Sequence, residues 1–350
     1  VFGRRVTSLR ETADRVLLSL DDGTEVEGSL VVGADGIHSV VRRCAFGPAT
    51  AAAETGLVSF SGVLPPSAIS KADEGRGARA SLRPESLAFE TLSAGRRFAL
   101  VPLRDSAFWF ASLPADSPAA AAALASAPAD RVAAGSPGHG SGAAALQLLR
   151  QAYAGWHDPI PAVLHAAACA EAASLMSGHG AAAGGRAAAP AEMARGLVRC
   201  QKEAALPRLP SWHTRRAVLI GDAAHGMPVN LAQGASAAIE GAHLLGRSLA
   251  DHLNGRATGA LPRPELLQAA CATYQLTHQP RVDQCQTITW FTRLLGLPAG
   301  RMREGARNAI RLVPKPISER VFDTLLEWSL GERPQSVRRL WPLAPAGARA

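Results

Sequence analysis

The chain has 350 residues, 47% hydrophobic and 19% charged, with a formal net charge of +8. That balance excludes a disordered chain, and no strongly apolar run reaches the ~20 residues of a membrane-spanning helix. The cations are mostly scattered arginines without interleaved aromatics, which reads as a solvated basic face and not as a nucleic-acid site.

The first forty residues read as a β-meander leading into a buried strand. Arg5–Leu9 and Val16–Leu20 are short β-prone runs, and Asp21-Asp22-Gly23-Thr24 supplies a hairpin turn. Leu30-Val31-Val32-Gly33-Ala34-Asp35-Gly36 follows, an apolar run ending in small residues and an acid. Such a run is expected of a central strand whose carboxyl end faces a ligand crevice. The chain opens at Val1 directly into this strand pattern, and it is expected to be the remainder of something longer.

Further short strands are predicted at 57–63, 87–92, 97–102 and 108–113, a succession that favours an antiparallel sheet. The Ala/Gly/Ser/Pro-rich stretches 115–142 and 166–194 read as low-complexity loops. Between them, 143–166 carries a helical apolar pattern through Leu146, Leu149 and Tyr153.

A second buried strand, Ala217-Val218-Leu219-Ile220-Gly221-Asp222, also ends in an acid, and a helix is expected from Gln233 to Leu253. Ala238, Ala242, Leu245, Leu249 and Leu253 would form its apolar face. The remainder reads as helices broken at Pro280, Pro298, Pro314 and Pro316.

Two strand-end constellations carry the chemistry. One is Gly33-Ala34-Asp35-Gly36-Ile37-His38-Ser39-Val40-Val41-Arg42; the other is Gly221-Asp222-Ala223-Ala224-His225, with Gln233-Gly234-Ala235 at the following helix start. A carboxylate at such a corner can accept hydrogen bonds from ribose or ribityl hydroxyls, and glycine lets backbone amides approach a phosphate or ring carbonyl. The helix start offers free N–H groups and partial positive charge to a ligand atom that becomes anionic. Either acid alone could simply cap a turn or helix; the pair, each after an apolar strand, is far more specific.

The two motifs resemble the DG and GD fingerprints of the class A flavoprotein monooxygenases, a group that includes salicylate hydroxylase-like enzymes, para-hydroxybenzoate hydroxylase and zeaxanthin epoxidase. Similar stretches are Gly95–Leu103 with Phe108–Ala111, then Trp156-His157-Asp158-Pro159-Ile160, and Tyr274, Pro280 and Arg281. The resemblance implies an α/β fold: an incomplete Rossmann-like FAD-binding domain, an inserted antiparallel-sheet substrate domain, and C-terminal helices. The implied boundaries are 1–50 and 199–260 for the FAD-binding part, 51–198 for the substrate domain, and 261–350 for the helical region.

It implies that Asp222 binds the ribityl chain of FAD, with Gly221 and Ala223 near the pyrophosphate and ribityl region. Asp35 and Gly36 would line the pyrophosphate and are associated with NAD(P)H, Arg42 would support the Asp35 loop, and Gln233, Gly234 and Ala235 would flank the isoalloxazine ring. The implied reaction is hydroxylation or epoxidation of an organic substrate using NAD(P)H and O₂ through a flavin C4a-hydroperoxide. The partners are then a small organic molecule and O₂. Aromatic acids, aromatic alcohols and isoprenoid rings all fit the sequence equally well.

The sequence departs from the family pattern in several places. Pro228 lies one position early, Ala232 replaces a glycine, Ser236 stands where Asn is frequent, and Gly241 follows Glu240 where Asp is usual. No G-x-G-x-x-G turn follows a buried strand, so FAD binding is expected to be weak or absent in the chain as it stands. Two alternatives therefore stay open: a non-catalytic remnant of the family, and an NAD(P)-binding Rossmann-type protein without flavin.

Other candidates read as structural. His225 is expected to pack beside the ligand loop and His38 to occupy a turn, while Trp109 and Phe110 belong to sheet core. Ser39, Ser61 and Ser236 lack a nucleophile-elbow context. Five widely spaced cysteines without CxxC, and ten histidines without HxxxH or HExxH, argue against a disulfide framework and a metal site.

Overall fold

A computed structural model describes residues 3–73, 88–93, 95–125, 142–176, 198–253 and 263–296, with the single residue 316. Strands β1 (Val6–Glu11), β2 (Val16–Leu20) and β3 (Glu25–Gly28) form the antiparallel meander, with Gly23 at positive φ in the β2–β3 turn. Strand β4 (Val31–Gly33) leaves the meander and pairs in parallel with β10 (Ala217–Leu219), from the far side of the sequence. Both are shorter than the apolar runs suggest, because the acids at 35 and 222 already belong to the turns that follow. Arg216 binds the meander to this pair, donating to the carbonyls of Ala13 (2.8 Å) and Ser29 (2.8 Å).

Strand β4 leads into helix α1 (Val40–Phe46). A five-stranded antiparallel sheet then forms in the order β6 (Phe89–Ser93), β7 (Arg96–Pro102), β8 (Ala107–Pro114), β5 (Ala53–Leu64) and β9 (Arg199–Ala205). One face buries Phe60, Phe98, Leu100, Trp109 and Leu113 against Leu146, Leu149, Tyr153 and Val163. The phenol of Tyr153 ties that core to the sheet by donating to the carbonyls of Arg97 (2.8 Å) and Ser112 (2.9 Å).

The covering helices are α2 (Pro66–Asp73), α3 (Pro118–Ala125), α4 (Gly142–Ala152) and α5 (Ile160–Met176). Helices α3 and α5 correct the loop assignment for 118–125 and 166–176. Alanine is the strongest helix former, and its small side chain lets a helix lie close on its neighbours. Ala120, Ala123, Ala166 and Ala167 are all buried there. The rest of both Ala-rich stretches, 126–141 and 177–194, lies outside the described residues.

The remaining elements are a single turn α6 (Asp222–His225), then α7 (Gly234–Leu253) and α8 (Pro264–Gly296). The buried line of α7 is Ala237, Gly241, Leu245 and Ser248. The expected face is thus rotated: Ala242 is exposed, because the close approach of α8 selects Gly241. Pro280 does not break α8, which runs for 33 residues through it. Its ring removes a donor to the carbonyl of Leu276, a residue 78% exposed, where water can substitute. The breaks expected at Pro298 and Pro314 lie outside the described residues. All five cysteines are free thiols.

Candidate functional site

The site lies at the carboxyl ends of β4 and β10. Gly33 is the last residue of β4, and a Cβ there would come within 2.6 Å of Leu219 Cδ2 and 2.9 Å of Val41 Cγ1. Only hydrogen fits, so helix α1 lies directly on the strand pair. The chain then turns through Gly36 at φ +78°. The Asp35 carboxylate accepts hydrogen bonds from Ser39 Oγ (2.5 Å), Val40 N (2.7 Å) and Val41 N (3.2 Å). Ser39 Oγ in turn accepts from Arg42 N at 2.8 Å. Asp35 thus caps α1, where the helix dipole favours an anion, and its carboxylate is turned to its own helix.

At the second corner Ile220 N donates to Gly33 O at 3.0 Å, continuing the pairing past β10. Gly221 adopts φ 56°, ψ −143°, a combination that L side chains reach only under strain. Asp222 opens the single turn α6. Its carboxylate accepts no hydrogen bond from any described residue, unlike that of Asp35. Desolvation pushes its pKa above the ordinary carboxylate value, although the residue keeps one side open to solvent. Oδ1 points at the start of α7, 3.8 Å from where a Cβ on Gly234 would lie.

Arg42 joins the two corners. Its buried guanidinium donates to the carbonyls of Ala223 (3.0 Å), Ala224 (2.8 Å), Pro207 (2.6 Å) and Thr50 (2.8 Å). The sequence reading assigned Arg42 to the Asp35 loop. The structure corrects this: Ser39 and the α1 amides already satisfy that carboxylate, so the long side chain reaches across to the Asp222 turn. Burial lowers the guanidinium to about 10, which leaves it protonated at neutral pH.

The third component is the loop from Gly226 into α7. Ala232 sits in the left-handed region at φ 52°, the one described residue other than glycine at positive φ. Arginines hold this loop from both sides. Arg97, on β7, donates to the carbonyls of Val229 and Asn230, each at 3.3 Å, and is also paired with Glu90. Arg281, on α8, donates to Gln233 Oε1 at 3.2 Å and lies 3.8 Å from Glu240. His278 donates through Nε2 to Ala237 O at 3.0 Å, and Tyr274 donates to Leu219 O at 3.2 Å.

Behind the Asp222 turn, the rings of Trp212, His225, Tyr274 and His278 pack with neighbouring centroids 5.4–5.9 Å apart. His225 is 1% exposed, and neither ring nitrogen has a hydrogen-bond partner among the described residues. Burial first, and the nearby His278 second, lower its pKa to about 3. It is a neutral packing group.

Asp35, Gly36, Gly221, Asp222 and Ala223 therefore converge with the Gln233-Gly234-Ala235 helix start on one side of the strand pair, with Arg42 as the strut beneath. Arg97, Arg281 and His278 escaped the sequence reading as loop supports. A signal existed for Arg97, the second of two arginines that open the otherwise apolar strand β7. Among the described residues, no group of three or more His, Cys, Asp or Glu could hold a metal ion, and no helix is long and apolar enough to cross a membrane.

Residues 206–264 match the family described as FAD binding domain. Over 285 residues the chain is 28% identical to the aurachin C monooxygenase/isomerase of Stigmatella aurantiaca, covering 81% of this chain and 58% of that protein. It is 24% identical over 299 residues to 6-hydroxynicotinate 3-monooxygenase of Pseudomonas fluorescens, covering 83% and 60%. Among solved structures, Klebsiella pneumoniae HpxO complexed with FAD and uric acid superposes with a TM-score of 0.62 at 20% identity, covering 92% of this chain and 65% of that one. A salicylate hydroxylase substrate complex superposes at 0.57 and 16% identity, covering 88% and 66%. The chain thus spans about three fifths of the length of the two relatives named. Both acid-and-glycine corners thus lie on one strand pair of a chain that is similar to monooxygenases and whose residues 206–264 match the FAD binding domain family.

Proposed function

We propose that the chain forms part of an FAD-dependent monooxygenase acting on a small organic, aromatic substrate. FAD, when bound, supplies the redox chemistry: electrons from NAD(P)H reduce O₂, one oxygen atom enters the substrate and the other leaves as water.

The residues fit such a group. Among the described residues Asp222 is an acceptor without a donor, beside a helix start that lacks a Cβ, so ribityl hydroxyls can donate to it. Gly221 and Ala223 leave room for the ribityl and pyrophosphate region. The first-turn N–H groups of α7, at Gly234 and Ala235, have no intrahelical acceptor and favour negative charge on the pyrimidine edge of the ring system. Gln233, held by Arg281, sets the entry to that helix. Gly36 and the backbone near Asp35 line the phosphate side, and Arg42 fixes the spacing of the two corners. In this reading 1–50 and the chain after β9 through α7 bind the cofactor, the five-stranded sheet carries the substrate and takes β9 (Arg199–Ala205) with it, which moves the boundary expected at 198/199, and α8 buttresses α7.

The observation that carries the proposal is the unpaired, partly desolvated Asp222 carboxylate aimed at the α7 start. FAD titration of the protein expressed from its full open reading frame, followed by flavin fluorescence, tests it. Asp222→Ala should weaken binding at least about tenfold, as expected for lost charge-assisted hydrogen bonds. Unchanged affinity would overturn the assignment, and NAD(P)H oxidation stimulated by an organic substrate is the corresponding activity assay.

A further inference from the structure

Helix α7 begins beside a charge of the sign that helix starts usually avoid. A helix N-terminus carries partial positive charge and favours acids in its first turn. The first turn of α7 holds none. The charge at its start is a cation instead: Arg281 of α8, 6% exposed, donates to Gln233 Oε1 at 3.2 Å. Glu240 lies further along α7, with Oε2 3.8 Å from Arg281 Nε. That is an ion-pair distance, and Oε2 accepts no hydrogen bond from any described residue. The pair is thus ordered with its cation toward the helix start and its acid further in, the same sense as the helix dipole. Two ionisable neighbours on α8 add no charge. Burial, ahead of the nearby Arg281, lowers His278 to about 4, and burial raises the Cys285 thiol.

Gln233 is where this arrangement acts. Its carbonyl accepts the first bond of the helix, from Ala237 N at 2.9 Å. A guanidinium can only donate, so the amide oxygen of Gln233 has to face Arg281 and its NH₂ is turned away. Among the described residues that NH₂ has no acceptor. It is left as a donor at a helix start that already offers the N–H groups of Gly234, Ala235 and Ser236. Without Arg281 the amide would be free to turn over and present its oxygen, an acceptor, in the same place.

We infer that Arg281 is a positioning residue for the proposed flavin chemistry: by fixing the Gln233 amide as a donor and by adding its own charge, it makes the α7 start prefer the reduced cofactor over the oxidised one. This rests on the function proposed above. NAD(P)H delivers two electrons and one proton to a neutral ring system, so one negative charge remains on it. A cation held out of water acts on that charge with little screening. Charge near the ring is one of the levers by which a protein tunes such a cofactor. Helix α8, outside the two acid-and-glycine corners, thereby takes part in setting the potential.

The test is the midpoint potential of FAD bound to the protein from the full open reading frame, measured at pH 7 against a reference dye. FAD affinity is read alongside by fluorescence titration. A purely structural arginine changes the affinity for oxidised and reduced cofactor alike and leaves the potential where it was. Arg281→Met should cost at least about tenfold in the preference for the reduced form, which lowers the potential by about 30 mV for two electrons. Arg281→Lys keeps the charge and should recover part of that shift. Gln233→Ala, at a half-buried position that threatens the fold less, should cost about threefold, or about 15 mV. Thermal unfolding checks that each variant is folded; should neither Arg281 variant fold, the Gln233→Ala potential decides alone. An unchanged potential in Arg281→Met or in Gln233→Ala, or a lysine variant no different from methionine, overturns the inference. Absence of flavin binding to the wild type sinks the flavoenzyme reading and this inference with it. Normal flavin binding with a potential insensitive to both residues sinks this inference alone.

Discussion

Arg42→Met is the perturbation that most directly tests how the two strand-end corners are joined. The side chain is 1% exposed and donates to four backbone carbonyls: Thr50, Ala223, Ala224 and Pro207. Methionine fills similar volume but leaves all four without that donor. At about 1 kcal/mol net per hydrogen bond the loss is about 4 kcal/mol, and relief from burying a cation returns part of it. A net destabilisation of about 2–4 kcal/mol is expected, read as a fall in the urea midpoint at unchanged m-value. Arg42→Lys keeps the charge but cannot serve four diverging acceptors, so it should recover less than half. Since the guanidinium titrates near 10, the loss should be the same at pH 6 and pH 8. Stability of Arg42→Met within error of the wild type, or full recovery by lysine, would refute the strut.

Gly33→Ala should destabilise by about 1–3 kcal/mol through overpacking, because its Cβ would meet Leu219 Cδ2 at 2.6 Å; a wild-type midpoint would show that α1 does not rest on the strand pair. At Ala232, glycine should range from neutral to about 1 kcal/mol more stable, and valine should cost more than about 1 kcal/mol, since φ is 52°. Equal stability of the two variants in denaturant titrations would contradict the left-handed backbone there. His225 and His278 titrate at about 3 and about 4 in the folded state, below the ordinary 6.5. Their contribution is therefore present above about pH 6.5 and is lost as pH falls through the folded values, because the unfolded chain takes up protons first. His225→Phe should flatten the decline of melting temperature over that window; an unchanged slope would mean His225 is not held neutral.

Local chemistry was legible in the sequence. The meander turn at Asp22-Gly23, the apolar strands ending at 33 and 219, and the small residues and acids after them all follow from short-range sterics and hydropathy. Family resemblance then supplied a ligand for corners whose residues alone left the choice open. The Ala-rich helices were not legible, because a segment of one small residue type has no apolar–polar contrast from which to read a period. Pro280 misled for a related reason: an exposed helix face tolerates the missing donor, and exposure is not written in the local sequence.

What only the tertiary structure decided is which groups are used up and which are left over. Asp35 and Asp222 look alike as sequence, yet one is satisfied by its own helix and the other has no donor among the described residues. Arg97 and Arg293 are chemically identical, and only packing shows that one holds the loop before α7 and the other pairs with Glu203. Arg42 meets Ala223 across 181 residues of chain. Partnerships at that range are fixed by packing, since a side chain's reach is local in space and not in sequence.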